Sequence, residues 1–303
     1  MVVVQVQGGL GNQLFQLVAG FCVARQNSDS HLLLDASRVS FGTDKSRRLQ
    51  VLNFNLFSPE LKVDVWGESF RRLAQFGPTR LSSALAISAS KIHSKLRFKN
   101  YFYFSEDNPK VSLEQLDSRS ILNGYFNDFS IVERAFSLGL RNNLELKSQP
   151  SQWLSDNLNE VDFETSIAIH VRLGDYLKFP QIFGKLSEDY YLTGLEEVSF
   201  NESQQVFLFS DQPNLVANHL PKISSYKNCK IVRQPSAVPS YENFFMMSQF
   251  KNIICANSTF SMWAAWFNQG PEGRDKRVVI PTPYLLDRAD MVTPSSWRKI
   301  PRG

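Results

Sequence analysis

Short apolar runs recur along the chain at residues 2–6, 31–34, 120–122, 166–171, 206–209, 229–232, 252–255 and 278–280. Several are rich in valine and isoleucine and are flanked by turn or polar residues, the pattern of strands buried on both faces of a parallel sheet. Longer patterned segments lie between some of them. After Asn12, Leu14, Leu17, Val18 and Phe21 recur at helical spacing, with Arg25 as the polar exit, which predicts an amphipathic helix. Strands alternating with helices predict an α/β fold built on parallel sheets. Gln149-Pro150-Ser151 reads as a linker that divides the chain into an N-terminal domain, 1–150, and a C-terminal domain, 151–303, each opening its own set of strands. No internal repeat or low-complexity tract interrupts this organisation.

The totals fit that picture. A chain of 303 residues has room for two domains of ordinary size. A hydrophobic content of 43%, including 24 Phe, is enough for a large core. No run approaches the ~18 apolar residues of a membrane span, and MVVVQVQGG lacks the basic and cleavage regions of a signal peptide. The three cysteines, Cys22, Cys229 and Cys255, are odd in number and form no CxxC, which favours buried thiols in a reducing compartment over a disulfide framework. A cytoplasmic protein is therefore expected. The net charge of +4 says little, but its distribution says more. Residues 71–99 carry seven Lys or Arg and no acid. Such a segment suits an anionic partner, and a solvated basic helix explains it equally well. Within it, LSSALAISASKIHSKLRF at 81–98 has the mix expected of a helix lying on an anionic bilayer, so a peripheral membrane contact is expected through 71–99. No motif for reading nucleic acid is visible, and no nucleic-acid partner is expected.

Four stretches carry chemistry. In VVVQVQGGLGNQLFQLVAGF a strand runs into Gly8-Gly9-Leu10-Gly11-Asn12-Gln13 and then a helix, a turn at which backbone can approach a ligand and a helix N-terminus can attract an anion. The dinucleotide pattern GxGxxG is met by Gly9 and Gly11, but Leu14 stands at the third glycine. A ligand-facing loop is expected over a merely tight turn. In IAIHVRLGDY, 167–176, an apolar strand ends in His170, Arg172 and Asp175. Alternation puts His170 and Arg172 on one face and Val171 on the other, so Arg172 is placed to fork onto a phosphate. An Arg172–Asp175 ion pair is the competing reading, and spacing leaves both open. In VFLFSDQ the strand ends at Ser210 and Asp211. Asp211 suits a nucleobase edge or sugar hydroxyls, but the local pattern favours an N-cap for a helix starting at Pro213. In NIICANSTFSMWAAWF, Asn257, Ser258, Thr259 and Ser261 crowd the start of an apolar helix, more hydroxyls than one cap needs and a natural phosphate seat. There is no DxD, Walker loop, HExxH or GxSxG, and the four histidines form no metal-ligand spacing. Chemistry without a metal or other cofactor is expected.

Taken together and in this order, GGLGNQLFQ, HVRLGDY, FSDQ and NSTFSMWAAW resemble the bacterial α-1,2-fucosyltransferases of the HxRRxD-motif superfamily. The resemblance implies a GT-B-like fold of two Rossmann-type domains facing across a cleft, acceptor side first and donor side second. It also implies inverting, metal-independent transfer of L-fucose from GDP-fucose to the 2-hydroxyl of a terminal galactose in an oligosaccharide. A lipid-linked acceptor and a role in O-antigen assembly would fit. Carried over position by position, it places Arg172 on the diphosphate and His170 close to the donor. Asn257, Ser258, Thr259, Phe260 and Ser261 would line phosphate and guanine, and Asp211 would sit near the nucleoside. Gly9, Gly11, Asn12 and Gln13 would line the cleft. The proton acceptor is left open among Asp175, His170, Asp128 and Glu188. Three positions depart from the family pattern: Leu173 replaces its second arginine and by alternation faces away from Arg172, Gln212 replaces an aspartate, and Met262 replaces a tryptophan. An NAD-dependent oxidoreductase, a non-catalytic nucleotide- or carbohydrate-binding relative, and a transferase using another GDP-sugar or acceptor are the competing readings.

Overall fold

Every apolar run singled out above becomes a strand in the structure, most of them buried on both faces of a parallel sheet, while the run at 229–232 forms a half-exposed edge strand. The computed structural model describes residues 1–29, 31–40, 48–57, 61–66, 98–107, 110–174, 176, 180–268, 276–286 and 291–303. These fall into two units, Met1–Arg141 and Asn142–Gly303. Gln149-Pro150-Ser151 lies inside the second, where Ser151 caps a helix by accepting the Leu154 N–H at 3.3 Å.

The first unit is built on β1 (Val2–Gln5), β2 (His31–Asp35), β3 (Lys62–Trp66), β4 (Phe102–Ser105) and β5 (Ser120–Asn123), all parallel, in the order β3-β2-β1-β5-β4. Helix α1 (Leu10–Gln26) crosses from β1 to β2, and α2 (Phe129–Ser137) follows β5. The amphipathic expectation for α1 needs correcting. The helix already starts at Leu10, within the glycine-rich turn, and is buried on nearly every side, Gln13 and Gln16 included. Gly20 on α1 has no room for a Cβ against Val4 and Leu32, so the helix packs directly on the sheet.

The second unit has β6 (Ile167–Val171), β7 (Val206–Ser210), β8 (Cys229–Ile231), β9 (Asn252–Ile254), β10 (Arg277–Thr282) and β11 (Arg298–Pro301), again all parallel, in the order β11-β10-β9-β6-β7-β8. Its helices of eight residues or more, among the described residues, are α3 (Gln152–Glu160), α4 (Glu188–Glu197), α5 (Ser240–Gln249) and α6 (Thr259–Trp266). Ile167, Ile169, Val171 and Leu173 point into one buried cluster with Tyr190, Tyr191 and Leu195 of α4. The alternation expected along this strand is thus present, with Leu173 2% exposed and packed in the core.

Strand order matters for function. In each sheet the chain runs outward from a central strand, then returns to the other side of it. The reversal falls between β1 and β5 in the first unit and between β6 and β9 in the second. Open parallel sheets bind ligands outside the carboxyl ends of the strands at such reversal points. No helix among the described residues is long and apolar enough to cross a membrane. The three cysteines are free, with Cys22 and Cys255 buried and Cys229 half-buried. The basic segment 71–99, except Lys99 and the sheet-packed Phe98, lies outside the described residues, as does Asp175.

Candidate functional site

The reversal point of the second sheet gathers the sequence-predicted residues of that unit. His170 is 4% exposed, and its ring stacks on that of Phe260 in the first turn of α6, centroids 5.5 Å apart. Its Nδ1 has no hydrogen-bond partner, and the Tyr191 hydroxyl donates to its carbonyl at 3.1 Å. Burial first, then the nearby Arg172 charge, pushes the imidazole down to about 3, partly countered by Asp211. A base this weak and this enclosed is a poor proton acceptor.

Two residues on, Arg172 keeps 30% of its side chain exposed. Its Nη1 lies 3.2 Å from the Asp211 carboxylate, and its guanidinium sits 5.9 Å from the centre of the Tyr176 ring. Asp211 also accepts the backbone N–H of Leu173 at 3.0 Å and of Gly174 at 2.9 Å. A Cβ at Gly174 would run into this carboxylate. Asp211 therefore locks the turn after β6 to the end of β7 and holds the arginine above it. It does not cap the segment at Pro213, contrary to the local expectation. Gln212 occupies that N-cap without a side-chain bond, and only a 3-10 turn, Pro213–Leu215, follows. Ser210 Oγ accepts the Gln212 N–H at 3.0 Å.

The strand beside β6 ends in the second half of the site. Asn257 is 1% exposed; its Nδ2 donates to the Phe183 carbonyl at 2.6 Å, while its Oδ1 has no partner. Tyr176 connects this loop to the arginine, with its hydroxyl donating to the Asn257 carbonyl and its ring stacked on Phe183. Ser258 stands at the N-cap of α6 in an extended conformation and makes no side-chain cap. The first turn of the helix lies at this edge, with Thr259 and Phe260 both half-buried. Ser261 is turned inward instead, its hydroxyl donating to the carbonyls of Ser258 at 3.2 Å and Ala256 at 3.4 Å. Met262 is fully buried in the core.

The glycine loop of the first unit looks different from its sequence. Gly9 is the N-cap of α1, and a Cβ there would meet nothing within 4 Å. Gly11 is buried, and Asn12 lies against Gly8, whose φ of 78° suits glycine. Gln13 is fully buried and faces inward. Its Nε2 donates to the carbonyls of Gly8 at 3.1 Å and Arg48 at 2.8 Å, and its Oε1 accepts the N–H of Gln50 at 2.9 Å and Val51 at 3.4 Å.

Of the four proton-acceptor candidates, two are fixed in structural roles. Asp128 caps α2 by accepting the Ser130 N–H at 2.8 Å, and Glu188 accepts the N–H groups of Lys222 at 2.8 Å and Ile223 at 3.1 Å. Sequence reasoning missed Tyr176, Tyr190 and Tyr191, which tie their neighbours to the ends of β6 and β9; Tyr190 donates to the Cys255 carbonyl at 2.6 Å. Two adjacent tyrosines in a helix facing the core were the available signal, because a buried hydroxyl needs an acceptor. It missed Arg302 as well, which donates to the carbonyls of Phe183 and Gly184. Among the described residues no group of three or more His, Cys, Asp or Glu gathers as metal ligands.

Several known proteins are similar to this chain. The O-antigen biosynthesis glycosyltransferase WbnK of Escherichia coli is 27% identical over 316 residues, covering 96% of this chain and 98% of the relative. An α-1,2-colitosyltransferase of Escherichia coli is 26% identical over 320 residues, covering 99% of each. The solved structure of POFUT1 in complex with GDP-fucose overlays with a TM-score of 0.51 at 13% identity, covering 98% of this chain and 97% of that one, and shares the fold. The architecture is GT-B-like, as expected from the sequence. The model of glycosyl transferase family 11 matches residues 1–283, and the chain belongs to that family of glycosyltransferases.

Proposed function

We propose that the protein transfers L-fucose from GDP-fucose to the 2-hydroxyl of a terminal galactose, with inversion and without a metal, in assembly of a bacterial surface polysaccharide. One observation carries the reading: a partly exposed arginine, ion-paired with Asp211, shares the β6/β9 reversal point with the N-terminus of α6. Departure of GDP builds negative charge on the β-phosphate. A guanidinium and helix amides aimed at that charge are each worth ~3–4 kcal/mol in the transition state. Thr259 and Phe260 would border the nucleotide. Neutral His170, wedged between strand and helix, would shape the donor seat without taking a proton. That leaves Asp175 as the proton acceptor among the four candidates, and a loose, oxocarbenium-like transition state needs little help from it. The acceptor on its lipid carrier, and contact of 71–99 with the inner membrane face, belong to the same reading. The relatives named for O-antigen synthesis and for α-1,2-colitosyl transfer support both the pathway and the linkage.

The test is incubation of purified protein with GDP-fucose and a panel of β-galactosides, with and without EDTA. Product linkage is read by NMR. An α-1,2-fucosylated galactoside, formed equally with EDTA, is expected. Turnover abolished by EDTA, or a different linkage, would overturn the corresponding part. The colitosyltransferase match favours one second reading, a donor carrying colitose. GDP-colitose belongs in the donor panel, and a higher kcat/KM with it would replace fucose.

A further inference from the structure

The first sheet has its own reversal point, between β1 and β5, and an exposed aromatic ring stands there. After β5 the chain runs Gly124-Tyr125-Phe126. Gly124 and Phe126 are buried, and Tyr125 between them is 41% exposed. The backbone around it is fixed from several sides. The Glu106 carboxylate accepts the N–H groups of Tyr125 at 2.5 Å and Phe126 at 3.0 Å. A Cβ on Gly124 would lie 2.5 Å from Glu106 Cβ. Phe126 is held at φ 54°, a conformation that is costly for a bulky residue. Its ring stacks on Phe104 at 6.1 Å. Gln16 ties this loop to the glycine loop after β1. It accepts the Gln7 N–H and donates to the Gly124 carbonyl, both at 3.0 Å.

Backbone held this firmly in an unfavourable conformation is a mark of functional sites. What the arrangement achieves is to fix the backbone that carries one exposed tyrosine at the carboxyl edge, tied through Gln16 to the glycine loop, which leaves open space at Gly9. The features that mark the second unit's edge, an arginine and a helix N-terminus, suit a diphosphate. Here the presented group is a neutral ring with a hydroxyl on its rim. That chemistry suits a sugar, whose C–H face packs on an aromatic ring while its hydroxyls meet polar neighbours.

We propose that Tyr125 is the stacking platform for a sugar ring of the acceptor, at the β1/β5 reversal point. The proposal rests on the reading of the protein as a galactoside fucosyltransferase for the identity of that sugar, and on the first unit alone for its place.

Two measurements test it. In the absence of any donor, saturation-transfer NMR follows binding of a glycan panel ending in galactose, glucose, mannose or N-acetylhexosamine. Wild type is expected to bind a galactose-terminated member, and Tyr125→Ala to lose that signal. With donor, Tyr125→Ala is expected to raise acceptor KM roughly tenfold while donor KM stays within about twofold, and Tyr125→Trp to stay near wild type. An unchanged acceptor KM in Tyr125→Ala overturns the platform. So does an equal loss toward donor and acceptor, or a wild-type protein that binds no glycan. Tyrosine-dependent binding of a glycan without galactose would sustain the platform while refuting the galactoside reading.

Discussion

The reversal points of the two sheets begin from similar sequence and end with different chemistry. Each combines a strand, a turn rich in glycine or hydroxyl residues, and a buried helix. After β1 the polar side chains are taken up by the protein's own backbone, Gln13 in four hydrogen bonds and Gln16 in a bridge between two loops. After β6 and β9, polar atoms of His170 and Asn257 are buried without a partner, and a cation remains partly exposed. A polar residue at a strand end is therefore not evidence of a ligand until its hydrogen-bonding capacity has been traced. Filled capacity marks a rivet. Unfilled capacity beside an exposed charge marks a binding edge.

The largest test of this contrast is Arg172→Lys. An ammonium cannot reproduce the planar fork, so kcat/KM should fall at least about 100-fold with thermal stability little changed. Near wild-type kcat/KM would remove the phosphate role. Gln13→Ala should act on the opposite axis. It takes away the partner of buried Gln50 and Val51 amides and should cost about 3 kcal/mol in urea unfolding, while folded protein keeps its kinetic constants within about twofold. Unchanged stability with weakened substrate binding would instead make the glycine loop a ligand contact through Gln13. Asp211→Asn lies between the two. It keeps the shape but removes the countercharge that orients Arg172. We expect kcat to fall about tenfold with donor KM nearly constant. A higher donor KM at unchanged kcat would mean that Asp211 reads the nucleoside.

Those outcomes bear on what was legible beforehand. Central strands could be read because burial on both faces leaves continuous apolar runs such as IAIHV and VFLFS. Three edge strands could not. KVDVW, FYFS and RKIP carry polar or exposed residues, so their patterns resemble loops. Alternation along β6 correctly turned Leu173 inward, because period-two geometry is local. The roles of Gln13 and Asp211 were not legible. Apart from the Gly8 carbonyl, their partners lie 35 or more residues away, at Arg48 and at Leu173–Gly174 among others, and no local rule reaches that far. Tyr125 escaped notice for a related reason: a ring between a glycine and a phenylalanine looks like core until its exposure is known.

The pH dependence of stability separates burial from proximity at His170. Its folded pKa, about 3, lies below the unfolded value near 6.5, so the unfolded state binds the proton first. The stability of a neutral, enclosed imidazole is fully present above pH 6.5 and is lost as pH falls toward 3. Carboxylates titrate in the same range, so the informative quantity is the difference in unfolding free energy between wild type and His170→Gln. Below about pH 6 that difference should shift against wild type by up to about 1.4 kcal/mol per pH unit. A difference that stays flat from pH 7.5 to 5 would mean that the imidazole is solvated or already paired. His170 would then lie outside the enclosed floor of the β6/β9 edge, and the contrast with Gln13 would rest on Asn257 and Arg172 alone.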